Sequence, residues 1–326
     1  MTTHQNILLA GASGVLGRHI TRALTEAGHT VTGLGRGPAN TVRADILDRG
    51  ATLRAVEGRH YDTVVLAATA LSRAPLRHRD MRATDALRVH GTAHLVEAAR
   101  ATGARRIIAE SMVFGYGFGD HGDHVLTEDD PFGPPGTTPA LEQHIAAMRI
   151  KEQLTFGATD MEGIALRFGL FYGAGGTDAL LPMLRRRQLP VADDHGRVLP
   201  WVDLADAARA VAAAVDHGRP GQAYNVTDRS PLGFAAHVRA VAEEFGLPKP
   251  MTVPLWTMRP LSYAHVMMRT TLRASSAKAE RELGWTPLHA SSRDGLAALG
   301  AAAREHVRDP AGTPRPDASA GSPGRR

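Results

Sequence analysis

The chain has 326 residues, 43% of them hydrophobic, enough to bury the core of one large α/β unit or of two closely joined lobes. It contains no cysteine, which excludes disulfides, thiolate metal sites and a cysteine nucleophile, and the cytoplasm is the expected compartment. The net charge of +5 comes from 38 basic residues scattered among 33 acidic ones, so solvated faces explain it better than a nucleic-acid surface, and no nucleic-acid partner is expected.

The opening MTTHQN lacks a basic segment before an apolar core, and the longest apolar stretch, Val64 to Leu71, is too short to span a bilayer. No membrane association is expected. From Asn6 the chain runs a strand, Ile7–Ala10, into Gly11-x-x-Gly14-x-x-Gly17 and then a helix over Val15–Ala27. Gly11 allows a sharp turn out of the strand, Gly14 lets backbone N–H groups approach phosphate oxygens, and Gly17 allows close helix–strand packing. With Ser13, Val15 and Leu16 in the same turn and the positive helix end facing it, the segment is suited to a dinucleotide pyrophosphate. A tight strand-to-helix turn is the plainer reading of a glycine triplet taken alone.

Further strands are expected at Thr30–Leu34, Thr63–Ala67, Arg106–Ala109 and Gly163–Phe168, alternating with helices at Asp48–Val56, Asp80–Ala101 and Pro139–Phe156. Such alternation implies an α/β fold with a doubly wound parallel sheet, whose ligands bind beyond the carboxyl ends of the strands. Arg36 ends the second strand where a carboxylate would ordinarily accept from the ribose 2′-hydroxyl of NAD. A guanidinium there favours the 2′-phosphate of NADP, with NAD the second choice and a solvated surface arginine the plain alternative. His90 and His94 stand one helical turn apart without an evident third ligand, so no metal is expected. The run GDHGDH over 119–124 reads as a solvated loop or flexible lid. In the second half, Asp203 opens an alanine-rich helix, a strand follows at Ala223–Val226, and helices are expected from Pro231 to Phe245, at Ser276–Leu283 and at Ser292–His306. Residues 309–326, rich in Pro, Gly, Ala and Ser, read as a disordered tail.

The segments GASGVLG, ADILD with Asp45, VVLAATA, RVHGTAHLVEAA, IIAESMVFGYG, LRFGLFYGAG, WVDLADAA, YNVTD and AKAERELGWTP, in this order over residues 6–300, resemble the extended short-chain dehydrogenase/reductase family, which contains nucleotide-sugar epimerases and dehydratases. The resemblance implies a Rossmann domain over 1–172, with 201–228 returning to it, and a smaller C-terminal substrate lobe mainly over 173–308. It also implies a homodimer formed through the helices near 80–101 and 139–156. Asp45 and Ile46 are then expected beside the adenine, Ala67 and Ala68 along the dinucleotide path, and Thr69, Trp201 and Arg273 at the substrate, a gap-filling role being the alternative for Trp201.

Members of the family usually carry Tyr-x-x-x-Lys, whose ammonium lowers the phenol's pKa and holds the nicotinamide ribose. Here Tyr61, Tyr116, Tyr172, Tyr224 and Tyr263 are followed four residues on by Val65, Asp120, Gly176, Asp228 and Met267. Aligning on Glu152 puts His144 at the tyrosine position and Met148 at the lysine position, and an imidazole can still move protons. Aligning on Lys151 retains a cofactor-binding ammonium but puts Ala147 at the tyrosine position. Ser111 takes the family's hydroxyl position in one register of ESMVFGYG, and Glu110 takes it in the other. Ser111 is preferred because a hydroxyl both donates and accepts. Tyr116 is a candidate substitute phenol or a packing aromatic. The expected activity is that of an NADP-dependent oxidoreductase or an epimerase/dehydratase-type enzyme acting on a carbonyl or hydroxyl of a small molecule, either a sugar nucleotide or a secondary metabolite. The alternative is a cofactor-binding protein without redox turnover, an isomerase, a cyclase or a dinucleotide-sensing regulator.

Overall fold

Seven parallel strands form the central sheet of the computed structural model, which describes residues 3–308 with residue 72 excepted. They are β1 (Asn6–Ala10), β2 (Thr30–Gly35), β3 (Val42–Arg43), β4 (Thr63–Leu66), β5 (Arg106–Met112), β6 (Glu162–Phe168) and β7 (Gln222–Val226). Their spatial order is β7-β6-β5-β4-β1-β2-β3, so the order in which successive strands are added switches sides at β1, between β2 and β4. A crevice opens at that point in sheets of this kind. The expected tail over 309–326 lies outside the described residues.

Both faces of the sheet are covered, because alternate residues of each strand point to opposite sides. Ile7 and Leu9 pack with Ile20 and Leu24 of α1 (Val15–Glu26) and with Ala207 and Val211 of a later helix, Leu204–His217. Leu8 and Ala10 face the other way, onto Val56 of α2 (Arg49–Val56) and Leu95 and Val96 from Thr92–Ala101. Asp48 caps α2 by accepting from Ala51 N at 2.8 Å, as the acidic start of that helix foreshadows.

The helix expected over 80–101 is divided into α3 (His78–Ala86), a π turn at Leu87–Gly91 and α4 (Thr92–Ala101). Within the π turn, Arg88 is buried and its guanidinium donates back to Asp85. Helix α5 (Pro139–Phe156) has the expected limits, with Thr138 capping it and Pro139 in its first turn.

The remaining helices are α6 (Leu181–Arg185), α7 (Leu204–His217), α8 (Phe234–Glu244), α9 (Ser262–Met268), α10 (Ala277–Leu283) and α11 (Ser292–Arg308). Helix α8 starts later than its proline suggests, because Leu232 is drawn into an antiparallel bridge with Leu199. Leu184, Val191, Trp201, Val238, Val241 and Leu296 form a separate apolar cluster away from the main sheet. The GDHGDH run is not a lid. It forms most of a strand, Asp120–Leu126, that pairs in parallel with Thr271–Ala274 and so satisfies its backbone. Among the described residues, no helix is long and apolar enough to cross a membrane.

Asp228, just beyond β7, is buried near Asp206 and Asp203, and burial pushes its carboxyl up to about 8. Its unfolded value is about 3.9, so this group's contribution is fully present below that pH and is lost as pH rises toward 8. Asp228→Asn should therefore raise the melting temperature more at mildly alkaline than at mildly acidic pH, measurable by calorimetry across pH. Leu9→Ala should destabilise the protein by about 2–5 kcal/mol in urea unfolding, since it empties a fully buried site at the centre of the sheet.

Candidate active site

The glycine turn is built as its sequence requires. Gly11 has φ +94°, and a Cβ there would lie 2.7 Å from the carbonyl oxygen of Ala67. A Cβ on Gly17 would press to 2.8 Å from the Cα of Ala12, so α1 can approach the strand end only without one. Gly14 N donates to Gly11 O at 2.9 Å, and the first turn of α1 carries no side-chain cap. The N–H groups of Val15, Leu16 and Gly17 therefore remain available to an anion.

These residues open onto a cleft of about 340 Å³ lined by Gly11, Ser13, Gly14, Arg36, Asp45, Ile46, Ala67, Ala68 and Thr69. Arg36 is exposed at its rim, while Asp45 accepts from Leu47 N at 3.0 Å. His94 binds the carbonyl of Ile46 through Nδ1 at 2.8 Å, which fixes that wall and gives the imidazole a backbone partner. The sequence did not single out Asn40. It is buried, donates to Gly37 O at 3.1 Å, and fits because Gly33 and Gly35 have no side chains where a Cβ would meet it. The positive φ, the uncapped helix start and the cleft beside them together suit a dinucleotide.

At the carboxyl end of β5, two adjacent residues of α5 are tied to the sheet. Lys151 Nζ donates to Glu110 at 3.0 Å and lies 3.4 Å from Leu66 O, and burial holds its ammonium below the usual lysine range, opposed by Glu110. Glu152 accepts from Ser111 Oγ at 2.7 Å and from Arg167 at 2.7 Å. Arg167 also donates to the Tyr116 hydroxyl at 2.8 Å, and that hydroxyl donates to Asn225 at 2.9 Å. Burial pushes Tyr116 up to about 12, against the opposing pull of Arg167. Ser111 and Arg167 are register partners on β5 and β6, so both reach Glu152 from one side of the sheet. Ser111 and Tyr116, expected at the substrate, have buried hydroxyls that are hydrogen-bonded within one ion-pair network.

His144 sits differently. Its Nδ1 is 2.6 Å from Asp85 Oδ2, and its Nε2 is 3.0 Å from Nδ1 of His78, whose ring plane lies within 22° of its own. Tyr263 of α9 packs edge-on against both imidazoles. His144 is almost fully buried, whereas His78 is only partly so. Burial and the neighbouring His144 hold His78 below the ordinary imidazole range. Met148, one turn along, is packed among Val113, Phe114 and Leu126. Sequence reasoning missed Asp85 and His78, because no local spacing links α3 to α5.

Of the residues expected at substrate, Thr69 lies on the cleft, 3.3 Å from the Thr84 hydroxyl. Arg273 projects from Thr271–Ala274 toward Asp123, 3.4 Å away. Trp201 is interior: it donates to Leu232 O at 2.7 Å and its ring lies 3.7 Å from that of His237.

Arg167→Met should cost about 3–5 kcal/mol in chemical denaturation, because it leaves the Glu152 carboxylate buried without its cation. Ser111→Ala should cost only about 1 kcal/mol and leave NADPH affinity unchanged in titration calorimetry.

Residues 7–227 match the model of the NAD dependent epimerase/dehydratase family. A 3-diazoavenalumate denitrifying reductase of a Streptomyces species is 36% identical over 307 residues, covering 89% of this chain and 98% of that protein. A dTDP-4-dehydrorhamnose reductase of Streptomyces griseus is 31% identical, covering 68% of this chain and 70% of the relative. Among solved structures, a human epimerase family protein with NADPH superposes with a TM-score of 0.74 at 17% identity, covering 91% of this chain and 99% of that one. A dTDP-glucose 4,6-dehydratase from Streptomyces venezuelae with NAD bound gives 0.72 at 21% identity, covering 93% and 98%. These two likenesses establish the fold, and the matched sequence establishes the family: the chain belongs to the NAD dependent epimerase/dehydratase family of nicotinamide-dinucleotide enzymes.

Proposed function

We propose that this chain is an NADPH-linked reductase that delivers hydride to an electrophilic centre of a small secondary metabolite. The observation that carries this reading is the 36% identity to a reductase along 89% of this chain. Where the resemblance, in the register set by Glu152, places a phenol and an ammonium, the chain has His144, bonded on both sides within a buried chain, and Met148, packed in an apolar cluster, while the nearby ammonium of Lys151 is engaged by Glu110. The group that protonates a reduced product is the base for the reverse oxidation, so this site serves proton transfer in either direction.

The first-turn N–H groups of α1 and Ser13 would hold the pyrophosphate, Arg36 the 2′-phosphate, Asp45 and Ile46 the adenosine, and Ala67 and Ala68 the dinucleotide path toward Lys151. When bound, the cofactor supplies hydride. The imidazole chain that contains His144 handles the proton, and Thr69 and Arg273 contribute to the substrate side. A carbonyl is one candidate electrophile. The 36% likeness to the diazoavenalumate reductase adds a diazo-bearing carbon, and makes a secondary metabolite the better supported substrate class than a sugar nucleotide. The half-exposed faces of α4 and α5, with Ala93, Ala146 and Ile150, suit a homodimer in the cytoplasm.

Single-turnover absorbance at the reduced-nicotinamide band, with aryl diazo compounds and ketones as acceptors, tests the reaction. Loss of the band with one acceptor class is expected. Tight NADPH binding with no loss for any acceptor would favour the non-redox alternative, for which the committed hydroxyls of Ser111 and Tyr116 speak. Arg36→Ala should weaken NADPH about 10-fold or more while changing NADH affinity little, as expected for a lost charge-assisted phosphate contact.

A further inference from the structure

We propose that the proton accompanying hydride transfer leaves from His78 Nε2, with His144 and Asp85 as positioning residues behind it. This rests on the reductase reading and extends it to two residues that neither the family resemblance nor the sequence pattern selects.

Asp85, buried on α3, accepts from His144 Nδ1 at 2.6 Å, so that nitrogen carries a proton. The opposite nitrogen, Nε2, faces His78 Nδ1 at 3.0 Å, and two nitrogens at that distance share one proton. Both nitrogens of His144 are thereby occupied, and its side chain is enclosed. Among the described residues only His78 Nε2 is left without a partner, on the one ring of the pair that is partly exposed. When the pair holds an additional proton, that proton sits on His78 Nε2, whichever side of the N···N contact the shared one occupies. Donation breaks the Nε2–H bond, forms the O–H or other X–H bond on the reduced substrate, and leaves the shared proton on His78 Nδ1. At a carbonyl the hydride's electron pair forms the new C–H bond and the displaced C=O pair takes this proton as O–H, so atoms and electrons balance.

The surroundings hold this chain in place. Asp85 is steadied by Arg88 from the π turn at 3.3 Å, and Arg88 also bears electrostatically on Lys151 of α5 and on Tyr263. Tyr263 of α9 packs edge-on against both rings, and its neighbour Ser262 accepts from the His78 backbone N–H at 3.3 Å. Helix α3, which begins with His78, also supplies Ala83 to the cleft wall.

Two measurements test the proposal. Nitrogen NMR of isotope-labelled histidine on the whole protein needs no substrate. It should show His144 protonated at Nδ1 across neutral pH and His78 titrating at Nε2, with Asp85→Asn releasing the His144 tautomer. His144 protonated at Nε2 alone, or His78 titrating at Nδ1, would overturn the relay. With whichever acceptor oxidises NADPH, His78→Gln should slow hydride transfer about 100-fold or more and flatten its pH profile. NADPH affinity by calorimetry should stay unchanged. An unaltered pH profile in His78→Gln would equally overturn the assignment, while failure of NADPH to bind the wild type would instead remove the reductase reading beneath it.

Discussion

Two neighbouring residues on one helix, Lys151 and Glu152, hold this structure's chemistry in place. Each spends its charge on a different part of the sheet: Lys151 on β4 and β5 through Leu66 and Glu110, Glu152 on β5 and β6 through Ser111 and Arg167. Buried charges are costly unless paired and fully hydrogen-bonded, so the two pairs tolerate little displacement of α5 relative to the strand ends. Because α5 is fixed, His144, two turns earlier on the same helix, is brought against Asp85 and His78 of α3. The polar network thus contributes position more than stability, and what it positions is an imidazole.

The cofactor half follows a simpler logic. Glycines at 11 and 17 remove side chains where backbone must meet backbone, and what remains is an uncapped helix start beside a narrow cleft. Charge enters only at the rim, through Arg36. Binding and chemistry are therefore assigned to different kinds of structure. One is a backbone turn read from glycine spacing, and the other a side-chain network assembled from three helices, a π turn and two strand ends.

That difference explains how much of the molecule was legible in the sequence. Strands such as Thr63–Leu66 and Glu162–Phe168, and the whole of α5, were readable because apolar runs, Thr138 and Pro139 are local signals. The cleft was readable for the same reason, from Gly11 through Ala68. The bonds of Ser111 and Tyr116 were not readable, because motif position says which strand a side chain ends but not which buried partner claims its hydroxyl. Their fate was decided by Arg167 and Glu152, 41 and more residues away from Ser111 in sequence. Asp85 and His78 were invisible because their partner lies 59 and 66 residues further on. The helix expected over 80–101 had the right extent but missed its internal turn, since periodicity over so long a segment averages a local irregularity away.

That irregularity, the π turn at Leu87–Gly91, acts as a phase adjuster between two helices that would otherwise be one. A π turn accommodates one residue more than an α-helical turn, and each residue of an α-helix advances the azimuth by about 100°. The wider turn sets the rotation at which α3 presents Asp85 to α5 while α4 keeps Leu95 and Val96 against the sheet. A relative with one residue fewer there, and an otherwise similar sequence, would retain its fold and cofactor turn yet point its carboxylate elsewhere. The length of this segment therefore bears on whether the contact between Asp85 and His144 can form.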